Sequence, residues 1–417
     1  MLSANNTERK SWINYDNNCD FPIQNIPFGV FKTNQNDFHI ATIIGETVIS
    51  IKNLEKEGYF NKIDLAEHTF QEPNLNKFLE HDKSIWRKVR NKIAEIFDIK
   101  NNFKSKILNQ NILFNKNIEM VLPVKIGDYT DFYSSKDHAT NVGKMFRDPE
   151  NALLPNWLHI PVGYHGRSSS IVISGTDVKR PSGQILNKES NKPIFSKSKL
   201  LDFELEMAFI TGKSNKLGES IDIEKAEDYI FGLCLFNDWS ARDIQKWEYV
   251  PLGPFLGKSF NSSISPWIVT LDALEPFRIA GEKQVPEVLD YLKFNGDKNF
   301  NVELEVQIKS LDSEPTTVSK SNFKYMYWNM AQQLTHHAIN GCNIKAGDLM
   351  ASGTISGPNK SEFGSMLEIS WAGKESIYLN NGEERKFLKD GDTVIMKGYS
   401  QNKDIRIGFG KLSNKII

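Results

Sequence analysis

Hydrophobic residues in the first hundred positions recur with two different periods. Short apolar segments bounded by turn residues, such as 27–31 and 40–45, are typical of β-strands. Beyond Pro73 the apolar residues return at spacings of three and four, which predicts helix with one apolar face. The residues of that face are Leu75, Phe78, Leu79, Trp86, Val89, Ile93 and Phe97.

From Glu119 onward the pattern is mainly that of strands. Segments 203–209 and 302–308 alternate apolar and polar residues, and Gly-Asp turns at 347–348 and 391–392 precede apolar runs. One helix interrupts the strands. We expect Asn322 to cap it and Gly341 to end it, with an apolar face formed by Met326, Met330, Leu334 and His337.

These patterns indicate a mainly β fold with a few helices, divided into two domains. The Asn- and Lys-rich segment 99–118 is the expected boundary, because it combines turn-forming residues with scattered apolar ones. We therefore predict an N-terminal domain of residues 1–118, which contains a helical segment and a linker, and a C-terminal domain of residues 119–417.

Charge and cysteine content narrow the class of protein. The 51 Lys and Arg residues nearly balance 52 Asp and Glu residues, for a formal net charge of −1. This balance gives no support to nucleic acid or an anionic membrane as a partner, since both require a basic field. Three widely spaced cysteines (Cys19, Cys234 and Cys342) form neither a metal-binding cluster nor a disulfide framework. With a polar N-terminus and no long apolar run, we expect a cytoplasmic protein.

Two apparent motifs are weaker than they look. The segment 253–259 resembles a phosphate-binding loop but is one residue short and contains Pro254, so we expect no nucleotide there. His336 and His337 are adjacent, diverge by about 100° on a helix and cannot face one metal ion. We expect one of them to be buried and the other exposed.

Acidic residues in apolar surroundings are the more informative signal. Glu204 and Glu206 point to the same face of a strand and lie roughly 6.6 Å apart along it, so both can reach one cation. A solvated strand face is the alternative interpretation. Asp238 ends an apolar run and Asp131 lies among aromatic residues, positions that are costly for a carboxylate unless it is paired or metal-bound.

Four carboxylates without a thiolate favour a hard cation, Ca²⁺ or Mg²⁺, over zinc. Their spacing in the sequence leaves open whether they converge. Nearby, Arg242 and Gln245 are three residues apart and share one side of a helical turn. They are suited to hold a developing oxyanion, and a surface Arg–Asp network is the alternative.

Longer blocks of sequence resemble the fumarylacetoacetase family. They occur in the family's order and cover most of the chain after Glu119, whereas the first 118 residues match more by position than by motif. The blocks are residues 131–135, 138–143, 156–167, 204–206, 237–260, 352–358 and 363–368.

The resemblance implies a small SH3-like N-terminal barrel and a larger C-terminal domain, a mixed β-sandwich roll that forms a homodimer. It also implies hydrolysis of the diketo acid 4-fumarylacetoacetate to fumarate and acetoacetate, the last step of tyrosine and phenylalanine breakdown. The implied partner is therefore a small-molecule substrate.

Residue roles follow from the resemblance position by position. The implied ligands of a catalytic Ca²⁺ or Mg²⁺ are Asp131, Glu204, Glu206 and Asp238. A secondary cation site is implied at Lys258 and Ser262, where the family usually has Gly-Thr in place of Asn261-Ser262.

The resemblance further implies that His138 is the general base and that Glu368 orients it. The implied oxyanion donors are Arg242, Gln245 and Lys258. The implied substrate contacts are Tyr133, Arg147, Tyr164, Gln245, Tyr249 and Thr354.

Two other functions stay open on the sequence. A related reaction on the same fold is one, such as acylpyruvate hydrolysis, decarboxylation or hydration, although relatives of that kind usually lack the N-terminal domain and the block around Asp131 and His138. A non-catalytic scaffold stabilised by Ca²⁺ is the other.

Overall fold

An antiparallel sheet of five strands occupies the N-terminal part of the chain. The structure is a computed structural model that describes residues 3–16, 18–187, 189–311 and 313–417. The strands are β1 (Gly29–Thr33), β2 (Phe38–Ile44), β3 (Thr47–Ser50), β4 (Leu113–Phe114) and β5 (Ile118–Val121), paired in the order β4-β3-β2-β1-β5. This sheet is barrel-like, as the resemblance implied.

Four helices accompany this sheet. They are α1 (Ile51–Lys56), α2 (Asn76–Leu79), α3 (Lys83–Phe97) and α4 (Lys104–Leu108). The helical periodicity after Pro73 is confirmed by α2 and α3, and α3 buries Trp86, Val89, Ile93 and Phe97 along one face. The apolar face that the sequence predicts is therefore the face of α3 that packs on the rest of the molecule.

The remaining strands build the larger part of the molecule. They are β6 (Tyr129–Phe132), β7 (Gly163–His165), β8 (Ile171–Ile173), β9 (Ser182–Asn187), β10 (Lys192–Lys197), β11 (Leu201–Asp202), β12 (Leu205–Thr211), β13 (Ile230–Asp238), β14 (Ser240–Ala241), β15 (Ser262–Ile264), β16 (Val269–Thr270), β17 (Arg278–Ile279), β18 (Asn299–Phe300), β19 (Glu303–Lys309), β20 (Thr316–Asn322), β21 (Leu349–Ala351), β22 (Ile377–Tyr378), β23 (Glu384–Arg385), β24 (Thr393–Gln401) and β25 (Arg406–Lys415).

Two of the sheets enclose the main core. The eight-stranded mixed sheet runs β7-β6-β21-β12-β13-β15-β8, with β16 also paired to β13. The second sheet is antiparallel and runs β20-β19-β24-β25. Apolar side chains from both sheets share one buried cluster, which gives the sandwich that the resemblance implied. Short two-stranded ribbons pair β9 with β10, β11 with β14, β17 with β18 and β22 with β23.

Short helices connect these strands. The α-helices are α5 (Lys136–Phe146), α6 (Arg242–Glu248), α7 (Leu256–Ser259), α8 (Leu271–Leu274), α9 (Met330–Ala338) and α10 (Met366–Ile369). The 3₁₀ helices of this part are Pro149–Asn151, Ser168–Ser170, Ile223–Tyr229, Glu275–Phe277, Asp290–Leu292, Phe323–Tyr325 and Lys360–Glu362, and two more, Ser3–Asn5 and Thr69–Gln71, lie in the N-terminal part.

Strand β12 is buried on both faces, so that its side chains are enclosed by protein on either side of the sheet. One face contributes Leu205, Met207 and Phe209 to the core between the two sheets. The opposite face contributes Ala208 and Ile210 to a second cluster, shared with N-terminal residues. Glu204 and Glu206, which precede Ala208 on that opposite face, are buried as well.

One sequence expectation differs from the structure. Asn322 caps only the 3₁₀ turn Phe323–Tyr325, and helix α9 begins later, with Asn329 as its cap. The expected cap was wrong because two asparagines seven residues apart both satisfy the N-cap preference. Strand β5 crosses the predicted boundary at residue 118, and the division into two domains stays a prediction. Among the described helices, none combines the length and apolar character of a membrane span.

Candidate active site

Four carboxylates converge on one face of the eight-stranded sheet. Asp131 lies in β6, Glu206 lies in β12 with Glu204 immediately before that strand, and Asp238 ends β13. One oxygen from each lies within 4.8 Å of the others, and all four side chains are buried. The convergence arises because β12 pairs with β13 on one side and, through β21, connects to β6 on the other. The solvated-face alternative for Glu204 and Glu206 is wrong.

Two cationic side chains face part of this cluster. Lys258 Nζ donates to Glu204 Oε2 and, at 2.6 Å, to Asp238 Oδ2, and Arg242 Nη2 lies 2.8 Å from Glu204 Oε1. Burial raises the pKa of Glu204, but Lys258 and Arg242 outweigh it and hold that pKa well below its usual range. Burial lowers the pKa of Lys258, yet Asp238 and Glu204 more than offset this effect and raise it. Glu204 and Lys258 are therefore both charged at neutral pH.

Asp131 and Glu206, in contrast, have no ion pair with a cationic side chain among the described residues to compensate their charge. Asp131 Oδ1 and Glu206 Oε1 are buried and have no hydrogen-bond partner among the described residues. Burial and the neighbouring carboxylates raise the pKa of Asp131 and of Glu206 well above the usual range. Uncompensated carboxylates are costly inside a protein unless they are paired or bind a metal ion. The all-oxygen donor set therefore fits a hard divalent cation.

His138 lies in the first turn of α5, beside the carboxylate cluster. The Ser135 hydroxyl caps this helix by accepting from the His138 backbone amide. The imidazole is buried, and its Nδ1 is 2.7 Å from Glu368 Oε2. The His138 imidazole also contributes, after Lys258 and Arg242, to the lowered pKa of Glu204.

Glu368 is held by a full set of donors. Its fully buried carboxylate accepts from Asn141 Nδ2 at 2.9 Å, Ser356 Oγ at 2.8 Å and Ser365 Oγ at 3.0 Å, in addition to His138. Burial raises the pKa of Glu368, but His138 and the other donors more than reverse this and leave it below its ordinary value. An ionised Glu368 requires the proton on His138 Nδ1 and leaves Nε2 as the atom that accepts one.

Arg242 and Gln245 begin helix α6, which starts beside the cluster. Arg242 Nε donates to Asp202 Oδ2 at 2.8 Å, and Nη1 makes a long contact of 3.4 Å with Gln245 Oε1. Asp202 is fully buried, so the alternative of a surface Arg–Asp network is wrong. Of the three predicted oxyanion donors, Arg242 and Lys258 both contact Glu204, and Gln245 contacts Arg242.

The predicted substrate-contact residues divide into two groups. Tyr164 and Thr354 are close to the carboxylates, because the Tyr164 hydroxyl donates to Asp238 Oδ2 at 3.1 Å and Gly353, next to Thr354, donates to Glu206. Tyr133 packs edge-on against His138, with ring centroids 5.3 Å apart. Arg147 and Tyr249 are exposed instead, and Arg147 donates to the carbonyl of Ala152.

The side chains of the predicted secondary cation site form hydrogen bonds and ion pairs within the protein. The Ser262 hydroxyl donates to Asp238 Oδ1 at 2.9 Å, since β15 pairs with β13 and sets these two residues opposite each other. A charged Lys258 has no lone pair to offer a metal ion. That Lys258 and Ser262 hold a second cation stays a prediction.

The sequence interpretation missed Asp202, Asn141, Ser356 and Ser365. Asn141 lies one helical turn after His138, a spacing that predicts a shared face. Ser365 stands three residues before Glu368, the spacing of a helix-capping box. Both signals were readable. Nothing local marks Asp202 or Ser356, because Asp202 contacts Arg242 at a separation of 40 residues and Ser356 contacts Glu368 at 12, both beyond the spacings within one helix turn or strand pair.

The two doubtful motifs have other roles. In segment 253–259 the Lys258 side chain reaches the carboxylates, and a Cβ added to Gly257 would lie 2.7 Å from Gln245, so the backbone must pass close to α6. His336 bonds Tyr291 and His337 bonds Thr130, so the two rings face different partners. The expectation of one buried and one exposed ring is wrong, since both are half-buried.

Comparison with known families covers nearly the whole chain. Residues 128–417 match the model described as fumarylacetoacetate hydrolase, C-terminal, and residues 24–123 match fumarylacetoacetase, N-terminal. The chain is 50% identical over 414 residues to the fumarylacetoacetase of Homo sapiens, with 98% of each chain covered. It is 51% identical to that of Dictyostelium discoideum and 47% identical to that of Arabidopsis thaliana, again with 98% of each chain covered.

Solved structures show a related fold at much lower identity. The fumarylacetoacetate hydrolase of the psychrophile Exiguobacterium antarcticum superposes with a TM-score of 0.53 at 16% identity, covering 94% of this chain and 99% of that one. A second structure, Cg1458 with an inhibitor, gives a TM-score of 0.53 at 15% identity with the same coverage. At these identities the likeness concerns the fold alone.

Proposed function

Because the chain belongs to the fumarylacetoacetase family, we infer that it hydrolyses a carbon–carbon bond of 4-fumarylacetoacetate to give fumarate and acetoacetate. The single observation that carries this function is the enclosure of a four-carboxylate cluster beside a buried His138–Glu368 pair. A hydrolase of this type needs a base for water, donors for an oxyanion and a means to stabilise a carbanion leaving group. Each requirement has candidate residues in this site.

The carboxylates that would hold a divalent cation are Asp131, Glu204, Glu206 and Asp238, and Ca²⁺ and Mg²⁺ both suit them. When bound, such a cation acts as a Lewis acid toward the 1,3-dicarbonyl portion of the substrate and favours departure of acetoacetate as an enolate. The protein's own share is the placement of these oxygens in a buried site, where electrostatic interactions are strong.

His138 is the proposed general base. Its Nε2 takes a proton from water while Nδ1–H donates to Glu368, and the resulting oxygen nucleophile attacks the carbonyl on the fumaryl side. Glu368 stabilises the imidazolium that forms, because its ionised carboxylate is already in place. The tetrahedral alkoxide then collapses to the carboxyl group of fumarate and the carbon–carbon bond breaks, so that its electron pair leaves with acetoacetate as an enolate. The enolate takes up the proton from the His138 imidazolium, which restores the base.

Arg242, Gln245 and Lys258 are the proposed donors to the tetrahedral alkoxide. Their N–H groups lie in a buried region, where a positioned donor is typically worth about 10²-fold in kcat or more. Substrate carboxylates are assigned to Arg147, whose planar guanidinium suits them, and to Tyr133, Tyr164 and Tyr249. Thr354, beside the cluster, completes the proposed substrate contacts.

A homodimer is part of the proposal. Exposed apolar residues lie on the β9–β10 hairpin and after α6, including Phe195 (78% exposed) and Leu252 (97% exposed). The two segments are joined by a hydrogen bond from Trp247 Nε1 to Gln184. Apolar patches of this kind are typical of interfaces. Sedimentation should give twice the chain mass, and Leu252→Asp should shift the protein toward monomer.

We assign the protein to the cytoplasm and to the last step of tyrosine and phenylalanine degradation. All three cysteines are free thiols, as expected in a reducing compartment. Burial also raises the pKa of Cys234 to about 12, so this thiol stays protonated and unreactive.

The decisive test is substrate choice. Purified full-length protein with Ca²⁺ or Mg²⁺ is given 4-fumarylacetoacetate and, in parallel, acylpyruvates, and the acidic products are quantified. We expect a higher kcat/KM for fumarylacetoacetate with equimolar fumarate and acetoacetate. A preference for acylpyruvates would support the related hydrolase instead. Stabilisation by the cation without turnover of any diketo acid would support a scaffold.

A further inference from the structure

One buried carboxylate beside the site has no part in the chemistry outlined above. Asp202 is fully buried in the two-residue strand β11, and it lies outside the group of four converging carboxylates. Its Oδ2 accepts from Arg242 Nε at 2.8 Å and from the Leu367 backbone amide at 3.0 Å. Its Oδ1 accepts from the Met366 amide at 2.7 Å. Both oxygens are therefore engaged by groups from two distant segments.

The contact with Arg242 determines which edge of the guanidinium is left free. Asp202 takes Nε, so the Nη groups point onward toward Glu204 and Gln245. Nη2 is close to Glu204 Oε1 without making a well-directed hydrogen bond to it. Asp202 thus holds the guanidinium at Nε, on the side away from the carboxylate cluster. On the side toward the cluster, Nη2 is left to donate a hydrogen bond.

The contacts with Met366 and Leu367 fix the other half of the site. These two amides open the short helix α10, whose third residue is Glu368. Glu368 in turn holds His138. The Asp202 carboxylate therefore binds Arg242, the proposed oxyanion donor. It also binds the backbone of α10, which carries Glu368, the partner of the proposed base.

We propose that Asp202 is a positioning residue, which fixes Arg242 relative to the Glu368–His138 pair so that both act on the same carbonyl. This inference rests on the proposed hydrolytic function. An anionic side chain is needed because it must accept from a cation and two amides at once, and a misplacement of about 1 Å in such an arrangement can cost about 10²-fold in rate.

The test is Asp202→Asn, studied with the full-length protein and fumarylacetoacetate. The amide keeps the shape but loses the charge and one acceptor. We expect kcat to fall about 10²-fold while KM changes by less than about threefold, since substrate contacts are elsewhere. Asp392→Asn is the matched control. Asp392 is also buried and accepts from Arg385 Nε and a backbone amide, yet it contacts none of the candidate site residues.

A double-mutant cycle separates positioning from loss of structure. Because Asp202 fixes Arg242, the losses of kcat caused by Asp202→Asn and Arg242→Gln should be less than additive in the double variant. Additive losses, or an unchanged kcat in Asp202→Asn, would overturn the inference. If Asp202→Asn does not fold, Asp202→Glu keeps the charge but displaces the carboxylate, and a kcat equal to that of the unmodified protein would overturn the inference equally. Failure of the unmodified protein to cleave the substrate would instead reject the proposed function.

Discussion

The imidazole of His138 and the carboxylate of Glu368 meet at 2.7 Å although 230 residues separate them in the chain. Helix α5 presents one and the short helix α10 presents the other, and both groups are buried. The contact determines which ring nitrogen carries the proton, and it directs the free nitrogen away from Glu368. The first two predictions concern this pair.

His138→Ala should lower kcat by about 10²-fold or more, the usual contribution of a general base. The carboxylates are untouched, so binding of Ca²⁺, measured by titration calorimetry, should be retained. Steady-state release of fumarate measures the first effect. Unchanged turnover would show that another group activates water.

Glu368→Gln should lower kcat by between about 10²-fold and 10⁴-fold, because the neutral amide no longer stabilises an imidazolium or selects its tautomer. Steady-state release of fumarate measures this loss. Glu362→Gln is the control, as Glu362 bonds Tyr325 outside the pair. A kcat for Glu368→Gln equal to that of the unmodified protein would contradict the assigned role.

Asp238→Ala should weaken divalent-cation affinity by at least about tenfold, since affinity for hard cations follows the number of charged ligands. The same change leaves Lys258 with Glu204 alone as its carboxylate partner. Calorimetric titration with Ca²⁺ and Mg²⁺ measures the loss, and Asp404→Ala at an exposed position controls for net charge. Wild-type affinity would remove Asp238 from the proposed ligands.

Cation binding should stabilise the protein more at pH 8 than at pH 5.5. Burial and neighbouring carboxylates raise the pKa of Asp131 and Glu206, so without a cation these groups retain protons that a cation must displace. Their contribution to stability is full below the unfolded pKa of about 4 and is lost as pH rises through the raised folded value. A Ca²⁺-induced rise in Tm that is equal at both pH values would refute this coupling.

Phe231→Ala should destabilise the fold by about 3–5 kcal/mol, the usual cost of emptying a buried aromatic site. Phe231 lies in β13, and its ring packs on Phe28, Phe78 and Trp86 at centroid distances of 5.2–5.9 Å. Urea unfolding measures the loss. Leu217→Ala, at a position 79% exposed, should change stability by less than about 0.5 kcal/mol. A loss below 1 kcal/mol for Phe231→Ala would show that this contact is dispensable.

Much of the fold follows from local patterns. The three-and-four spacing after Pro73 predicts α2 and α3, and the alternation over 302–308 predicts β19, whose inward residues are buried and whose outward residues are not. Such elements can be predicted because they follow from short-range periodicity, to which each of their residues contributes. The cap of α9 was misplaced because two capping residues compete within a few positions.

The alternation at 203–209 predicts which residues share a strand face, but it does not predict whether that face is buried. Leu205, Met207 and Phe209 lie on one face as predicted, but the opposite face is as buried as they are. Whether Glu204 and Glu206 meet water or the interior depends on what packs over that face, and no neighbour in sequence carries that information.

By itself, the sequence determined the periodic elements such as α2, α3 and β19, the strand face shared by Glu204 and Glu206 and, through long matching blocks, the family. Tertiary structure alone decided that Asp131 and Asp238 join those glutamates, that Lys258 compensates only part of their charge and that Asp202 links Arg242 to the turn of Glu368. The physical reason is that periodicity is a property of adjacent residues. Coulombic interaction and desolvation depend instead on distances through space, which are set only when the sheets pair and pack.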